Sequence, residues 1–251
     1  NARLYEKMKA EQDKYRGWLL HQEPSEILNH TYEYIVGHND GNVYPNGLIS
    51  RAETATVFFR LLKDEVRDGN LLTSNTYSDV PDDYWANTAI STMTGLGIVQ
   101  GCSTDTFDPN APTTRAQFAA ICARFDTGAG GTTQTFSDIS GHWAEEYIRR
   151  VAGLDWIKGF EDGTFRPEGR ITRQQLAAIL YRYAKLKGYD VSKSAALTAF
   201  SDADKVSGYA AEAMQWAVAE GLLQGSNGKL NPQGSATRAQ VATILMRYAK
   251  L

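Results

Sequence analysis

A four-residue phrase, Ser/Thr-Arg-x-Glu/Gln, recurs along this chain and constrains its fold more than any other feature. Its four copies begin at Ser50, Thr114, Thr172 and Thr237. Ser or Thr followed three residues later by Glu or Gln is the pattern of a capping box, in which the two side chains bind backbone N–H groups at the start of a helix. Each copy also opens an apolar stretch that ends in another basic residue. The phrase therefore predicts four helices that begin within about two residues of these positions.

The arginine of each copy stands at the first position of its predicted helix, where the positive end of the helix dipole disfavours a cation. These arginines are Arg51, Arg115, Arg173 and Arg238. Helix starts bind anions through exposed backbone N–H groups, and a guanidinium adds a planar fork that matches a carboxylate or a phosphate. We therefore expect these arginines to bind an anion, and the guanidiniums of Arg115 and Arg173 to be at least partly exposed and to face a groove. Replacing Arg115 and Arg173 with Ala should then leave the fold intact.

The repeat extends well beyond this phrase. A Gly and a turn that ends in apolar-x-Pro precede every copy, and three copies carry an aromatic-Ser-Asp phrase and a Trp-Ala or Tyr-Ala pair further upstream. The three acidic residues are Asp79, Asp138 and Asp202, and the aromatic residues before Ala are Trp85, Trp143 and Tyr209. The period is roughly 60 residues, and repeats of this kind bury their apolar faces only when neighbouring copies pack on one another.

The third copy contains the most complete version of the repeat. Residues Phe136 to Gln175 read aromatic-Ser-Asp, Trp-Ala, Gly, Asp-Gly-x-Phe-x-Pro and Ile-Thr-Arg-x-Gln. This order resembles the S-layer homology module, and the resemblance covers residues 30–251 as a half-module followed by three full modules. It implies a mainly α protein in which tandem helix–loop–helix modules pack as a pseudo-threefold bundle around the Trp and Tyr helices.

The same resemblance carries implications for function. It implies non-catalytic attachment of exported proteins to the bacterial cell wall, and therefore an extracellular location at the wall or in the S-layer. The implied partner is an acidic secondary cell-wall polysaccharide attached to peptidoglycan, often carrying a pyruvate ketal and held in grooves between modules. The alternative is a structural or protein-interaction scaffold that retains the fold without binding a glycan.

The predicted division of the chain has five segments. They are an N-terminal helical segment (residues 1–29), a half-module (30–72) and three modules (73–132, 133–196 and 197–251). Residues 3–20 carry apolar side chains at helical spacing with charges between them. This helix either replaces the Trp-Ala helix that the half-module lacks or belongs to an upstream domain or coiled coil.

Several residue types of the repeat are candidates for contacts with an acidic sugar. They are Arg51, Arg115, Arg173, Arg238, Asp79, Asp138, Asp202, Trp85, Trp143, Gly101 and Gly159. Each type also has a structural interpretation: the Trp residues as core anchors, the Asp residues as helix N-caps or partners that orient an Arg, and the Gly residues as turn residues. Because the third copy is closest to the pattern, we expect the strongest site to combine Arg115 and Arg173 with Asp138 and Trp143 between them.

The two cysteines, Cys102 and Cys122, lie in the Gly-turn of the second copy and in the helix that follows it. Two interpretations stay open. They are either two small hydrophobic residues in the core or a disulfide that closes a loop of about 20 residues and stabilises the fold by roughly 3 kcal/mol. A location outside the cell would permit the disulfide.

Composition and charge argue against other classes of protein. With 42% hydrophobic residues over 251 positions, the chain is not a disordered one. A net charge of −3 makes nucleic acid and anionic membranes poor partners, and no apolar run reaches the about 18 residues that would predict membrane insertion. The four histidines show no zinc spacing, and neither a nucleophile elbow nor a phosphate loop is present. We therefore expect no enzyme activity, no metal and no cofactor.

Overall fold

The computed structural model describes residues 46–60, 62, 64–125, 134–241 and 244. Within these residues the regular elements are helices, joined by turns and isolated β-bridges, so the predicted mainly α class is confirmed. In chain order the α-helices are α1 (Arg51–Arg60), α2 (Asp64–Gly69), α3 (Asn87–Gly95), α4 (Arg115–Phe125), α5 (Glu145–Gly153), α6 (Arg173–Leu186) and α7 (Ala211–Ala219). Two short 3-10 helices, Ala203–Lys205 and Gly208–Ala210, precede α7, and a further helix, α8, begins at Arg238.

The chain divides into two compact units. The first contains the residues up to Pro112 together with those from Thr237 onward, and the second contains Thr113–Ala236. The first unit therefore holds α1, α2, α3 and the start of α8, while the second holds α4, α5, α6 and α7. The predicted helical segment 3–20 lies outside the described residues.

The four predicted helix starts are confirmed. Each helix begins at the arginine of the repeated phrase, one residue after the predicted position. At α6 the capping box is complete: the Gln175 N–H donates to the Thr172 hydroxyl, and the Thr172 N–H donates to the Gln175 side-chain oxygen at 3.0 Å. The other three copies make the same reciprocal pair of bonds. These helix starts depend on local sequence alone, because the two residues of each capping box are only three positions apart in the chain.

Helices of consecutive repeats pack in pairs. In the first unit α1 packs on α3, and in the second α4 packs on α5 and α6 on α7. In every pair a Thr-Arg helix of one repeat contacts the helix after the Trp-Ala or Tyr-Ala pair of the next. The hydrophobic core is built at these contacts, where Ile90, Ile148 and Met214 are fully buried, each contributing about 1.5–3 kcal/mol.

Because of this pairing, the helix pairs that pack together do not coincide with the sequence repeats. Each described helix pair spans a predicted segment boundary, at residue 73, 133 or 197. The predicted boundaries themselves stay predictions. The same holds for the pseudo-threefold arrangement, because the Trp85 helix and the Trp143 and Tyr209 helices belong to different units.

Candidate functional site

The four repeated arginines are buried. Their exposed fractions are 9% for Arg51, 3% for Arg115, 6% for Arg173 and 4% for Arg238. The expectation of partly exposed guanidiniums is therefore wrong. Burial lowers the pKa of Arg115 to about 10, which still leaves its guanidinium charged at neutral pH.

Three of these guanidiniums donate hydrogen bonds to carbonyls of the following repeat. Arg51 binds the carbonyls of Phe107 and Gln100, both at 2.8 Å. Arg115 binds those of Phe165 at 2.9 Å and Lys158 at 3.2 Å, and Arg173 binds that of Leu230 at 2.7 Å. We call this contact the arginine clamp: the Thr-Arg arginine of one repeat bound to carbonyls in the Gly-turn of the next.

The clamp explains why a cation stands at a helix start. An unfavourable dipole interaction there costs about 0.3–1 kcal/mol, whereas each hydrogen bond from a charged donor contributes about 1.5–3 kcal/mol. Aromatic rings add to this contribution, because the Arg51 guanidinium lies 4.5 Å from the Phe107 ring and that of Arg115 lies 4.5 Å from the Phe165 ring. The contacts outweigh the dipole, so the arginine does not need an external anion to be retained.

The backbone N–H groups of these helix starts are also occupied. The N–H of Arg115 donates to the Gly169 carbonyl and that of Ala116 to the Pro167 carbonyl, both at 2.9 Å. The N–H of Gln117 donates to the Thr114 hydroxyl. The helices at Arg51 and Arg173 repeat this arrangement. The first turns therefore leave no N–H group for a ligand, and the predicted anion site at the helix start is not formed.

The fourth arginine makes a different contact, inside the first unit. The Arg238 guanidinium lies 2.8 Å from the Glu53 carboxylate, and its backbone N–H donates to the Gly47 carbonyl at 2.7 Å. Both partners come from the predicted half-module. The half-module thus supplies the contacts for the start of α8.

The three repeated aspartates hold the turns of their own repeats. Asp138 accepts the N–H groups of Phe165 and Arg166, both at 2.7 Å, and Asp79 and Asp202 accept the two equivalent N–H groups. The second residue of each bound pair has a positive φ, 57° at Arg166, a conformation that costs a non-glycine residue energy. The carboxylates thus stabilise these turns, rather than capping a helix or orienting an Arg.

The two candidate glycines permit close packing of an aromatic ring. A side chain at Gly101 would meet Tyr77 Cε1 at 2.5 Å, and one at Gly159 would collide with the Phe136 ring. Both glycines therefore have the structural role of making room for the aromatic residue of the aromatic-Ser-Asp phrase. Gly159 also lines a cavity.

The tryptophans differ in their surroundings. Trp143 is 55% exposed, which rules out a role as a core anchor, and Trp85 is half-buried. Tyr209, at the equivalent position of the last repeat, is 43% exposed. The exposed rings at positions 143 and 209 present faces on which a sugar could stack.

The second unit contains a cavity of about 710 Å³. It is formed by one arginine of the preceding repeat, the Gly-turn of the third copy, one face of α6 and the 3-10 helix before α7. Its lining residues are Arg115, Ile157, Lys158, Gly159, Phe160, Glu161, Asp162, Arg166, Gln175, Ala178, Ile179, Arg182, Ser207, Gly208 and Tyr209.

The cavity combines an aromatic wall with an excess of basic side chains. Four basic and two acidic residues line it. The Phe160 ring lies 5.0 Å from the Arg115 guanidinium and 4.0 Å from that of Arg166. Burial raises the pKa of Tyr209, whose hydroxyl is hydrogen-bonded to the side chains of Gln174 and Gln175, so its phenol is neutral. This surface suits a polar ligand that carries negative charge.

The cavity gathers a different set of residues from the predicted one. Of the expected combination it contains Arg115, whereas Arg173, Asp138 and Trp143 are outside its lining. It adds Arg182 and Tyr209, which were not among the candidates. Both had a signal in the sequence: Arg182 is the basic residue that ends the apolar stretch of its copy, and Tyr209 occupies the Trp position.

The cysteines are thiols and form no disulfide. The Cys102 thiol is exposed in its turn and lies 3.6 Å from the Phe107 carbonyl, to which it donates. Cys122 is 1% exposed within α4, as expected for a small core residue. Of the two interpretations of the pair, the disulfide is not formed in this structure, and the core interpretation fits Cys122.

In the described part of the chain, no group of His, Cys, Asp and Glu residues is placed to hold a metal ion. No helix among the same residues is long and apolar enough to cross a membrane.

Comparison with known protein families identifies the repeats. Residues 76–119, 135–177 and 199–242 each match the S-layer homology domain. The chain belongs to the S-layer homology domain family. Residues 1–42 match a second family, a protein of unknown function designated DUF3848.

Related proteins agree with this assignment. The chain is 34% identical over 171 residues to Cell surface glycoprotein 1 of Acetivibrio thermocellus, covering 63% of this chain and 7% of the relative. It is 34% identical over 156 residues to the Cellulosome-anchoring protein of the same organism, covering 59% and 35%. It is also 34% identical over 154 residues to the Surface-layer 125 kDa protein of Lysinibacillus sphaericus, covering 59% and 13%.

The matched region is a small part of each relative, since the chain spans 7% and 35% of the first two. Two of these relatives are named as a cell surface glycoprotein and a surface-layer protein, and this S-layer homology chain is accordingly extracellular, at the cell wall or S-layer.

Proposed function

We propose that this chain is a non-catalytic module that anchors its protein to the bacterial cell wall by binding an acidic polysaccharide attached to peptidoglycan. The observation that carries the proposal is the cavity of the second unit, which joins an exposed aromatic ring at Tyr209 to a basic lining. Family membership and the similarity to an anchoring protein support it.

The chemistry of the cavity fits a charged sugar. A sugar ring packs its C–H face on an aromatic ring, and Tyr209 offers such a face. A carboxylate on the same sugar, as in a pyruvate ketal, would find guanidinium groups within the same cavity. A cavity of about 710 Å³ is of the size that holds a small ligand or a few sugar units of a longer polymer.

Asp162, one of the two carboxylates of the cavity, lacks the character of a catalytic acid. Glycoside cleavage needs a carboxylic acid that is protonated near neutral pH. Asp162 has the opposite character, because bonds from Thr164 and Arg166 lower its pKa to about 2. Asp162 is therefore an ionised carboxylate that organises its own turn, and it cannot serve as the general acid of such a reaction.

Co-sedimentation with purified wall sacculi tests the proposal. We expect the chain to pellet with intact sacculi and to stay in the supernatant when the acidic polymer has been removed from the peptidoglycan. Tyr209→Ala should weaken binding because it removes the aromatic wall, whereas Tyr209→Phe keeps the ring and serves as the matched control. Equal sedimentation with intact and stripped sacculi, or none with either, would contradict the proposal and favour a scaffold that has kept the fold without the glycan site.

A further inference from the structure

Three of the four basic side chains in the cavity already have partners. The Lys158 ammonium lies 2.6 Å from the Asp155 carboxylate. The Arg166 guanidinium lies 2.9 Å from the Asp162 carboxylate. Arg115 is only 3% exposed, and two of its nitrogens are engaged in the arginine clamp. Each of these three positive charges therefore already interacts with a carboxylate or a carbonyl of the protein itself.

Arg182, on α6, is the exception among the basic residues of the cavity lining. It is half-buried, and burial lowers its pKa. Within the described ranges no carboxylate lies at ion-pair distance from it. Asp155 and Tyr209 act on it only at longer range, and Asp155 is bound by Lys158.

Tyr209 does not neutralise this charge. Its phenol is protonated, because burial raises its pKa. Partial removal of a cation from water without a nearby counter-charge is unfavourable. An anionic group that enters the cavity would remove this cost, and a planar guanidinium can bind both oxygens of a carboxylate.

We propose that Arg182 makes the charged contact with the acidic group of the wall polymer, and that Arg115 is a positioning residue that holds the Gly-turn of the cavity through the clamp. The inference rests on the proposed function, since it assigns a specificity-determining residue within the same cavity. It places the negative charge of the ligand beside α6, next to the ring of Tyr209.

The chain supplies a matched control for this assignment. Arg124 ends the apolar stretch of the second copy as Arg182 ends that of the third, and both follow the first arginine of their helix at the same spacing. Arg124 lies 4.3 Å from the Tyr147 ring and does not line the cavity. A loss of binding that reflected only the general charge of the protein would affect both variants alike.

The test is a set of calorimetric titrations of the whole chain with wall polymer released from sacculi, using wild type, Arg182→Gln, Arg182→Lys and Arg124→Gln. We expect Arg182→Gln to weaken binding about 10- to 100-fold, the loss expected for a charge-assisted bidentate contact. Arg182→Lys should recover part of that loss, and Arg124→Gln should bind as wild type does. If circular dichroism shows that Arg182→Gln is misfolded, the Arg182→Lys variant tests the assignment by itself. Its affinity for the polymer should be several-fold or more below that of wild type, because Lys keeps the charge but cannot make the bidentate contact.

A second titration separates charge recognition from general damage to the cavity. When the carboxylates of the polymer have been converted to amides, wild type and Arg182→Gln should bind with the same reduced affinity. Two results would overturn the assignment while leaving wall binding in place. One is that Arg182→Gln binds the unmodified polymer with wild-type affinity. The other is that the affinity of this variant is reduced by the same factor, relative to wild type, for the unmodified and the amidated polymer. Failure of the wild-type chain to bind the released polymer would overturn both the assignment and the proposed function.

Discussion

Arg173 isolates the structural role of the repeated arginines, because it belongs to the clamp but does not line the cavity. Its guanidinium is 6% exposed and donates to the Leu230 carbonyl at 2.7 Å. Without it, a buried carbonyl would lose its charged donor. The expectation that Ala substitutions of Arg115 and Arg173 leave the fold intact therefore no longer follows from the contacts.

We expect Arg173→Ala to lower the free energy of unfolding by about 1–3 kcal/mol, measured by urea denaturation at neutral pH. Lys185→Ala provides the control, because Lys185 is an exposed cation on the same helix and should change stability by no more than about 0.5 kcal/mol. If Arg173→Ala unfolds at the same urea concentration as the control variant, the clamp is not a stabilising contact.

The residues of the clamp show why the role of the repeated arginines cannot be predicted from the sequence. The position of Arg115 is unfavourable to the helix dipole, and local contacts alone point to an external anion as its partner. Its partner, the Phe165 carbonyl, lies 50 residues further along the chain. A backbone carbonyl has no side-chain signature, so the sequence offers no sign that it will accept a hydrogen bond from a distant arginine.

At the scale of helices, the contact between α6 and α7 contains a buried tyrosine with an unusual environment. The Tyr181 ring lies 5.5 Å from that of Trp216 at an angle of 61°. Burial, together with the bond from its hydroxyl to Glu212, raises the pKa of Tyr181 to about 12. The native state therefore keeps this phenol protonated at pH values where the unfolded chain, with a normal pKa of about 10, releases the proton.

This shift predicts a pH dependence with a definite sign. Because the native pKa is raised, the contribution of Tyr181 is fully present below about pH 10 and is lost as the pH rises toward about 12. We expect the melting temperature of wild type to fall more steeply over this interval than that of Tyr181→Phe, which has no phenol to titrate. Thermal unfolding of both proteins followed by circular dichroism from pH 8 to pH 11.5 measures this difference, and parallel curves would contradict it.

The helix starts and the helix pairings differ in how far the sequence determines them. Thr172 and Gln175 are three residues apart, so their capping box could be read directly. The pairing of α6 with α7 depends on which apolar faces meet after the chain has turned. The environment of Trp143 depends on the same packing, which explains why the motif alone left open whether its ring is a core anchor or a surface residue.

At the scale of the whole molecule, the cavity is a product of three consecutive repeats. Arg115 comes from the segment predicted as 73–132, the Gly-turn with Phe160 from 133–196, and Tyr209 from 197–251. The offset between packed helix pairs and sequence repeats brings these parts together within the second unit. A single repeat therefore cannot form the cavity, which gives a physical reason for tandem copies in a wall-binding module.

The distribution of charge also belongs to this scale. The chain has a net charge of −3, yet basic residues outnumber acidic ones in the cavity lining. A protein of this overall charge gains little from non-specific attraction to a polyanion. Binding to an acidic polymer would therefore depend on the local arrangement around Arg182 and Tyr209.

The most direct measurement is a crystal structure of the chain with an acidic oligosaccharide released from its own wall polymer. We expect electron density for a sugar against the ring of Tyr209, with the acidic group of that sugar within hydrogen-bond distance of the Arg182 guanidinium, and an unbroken clamp at Arg115. A well-ordered oligosaccharide bound elsewhere, with this cavity empty, would contradict the account.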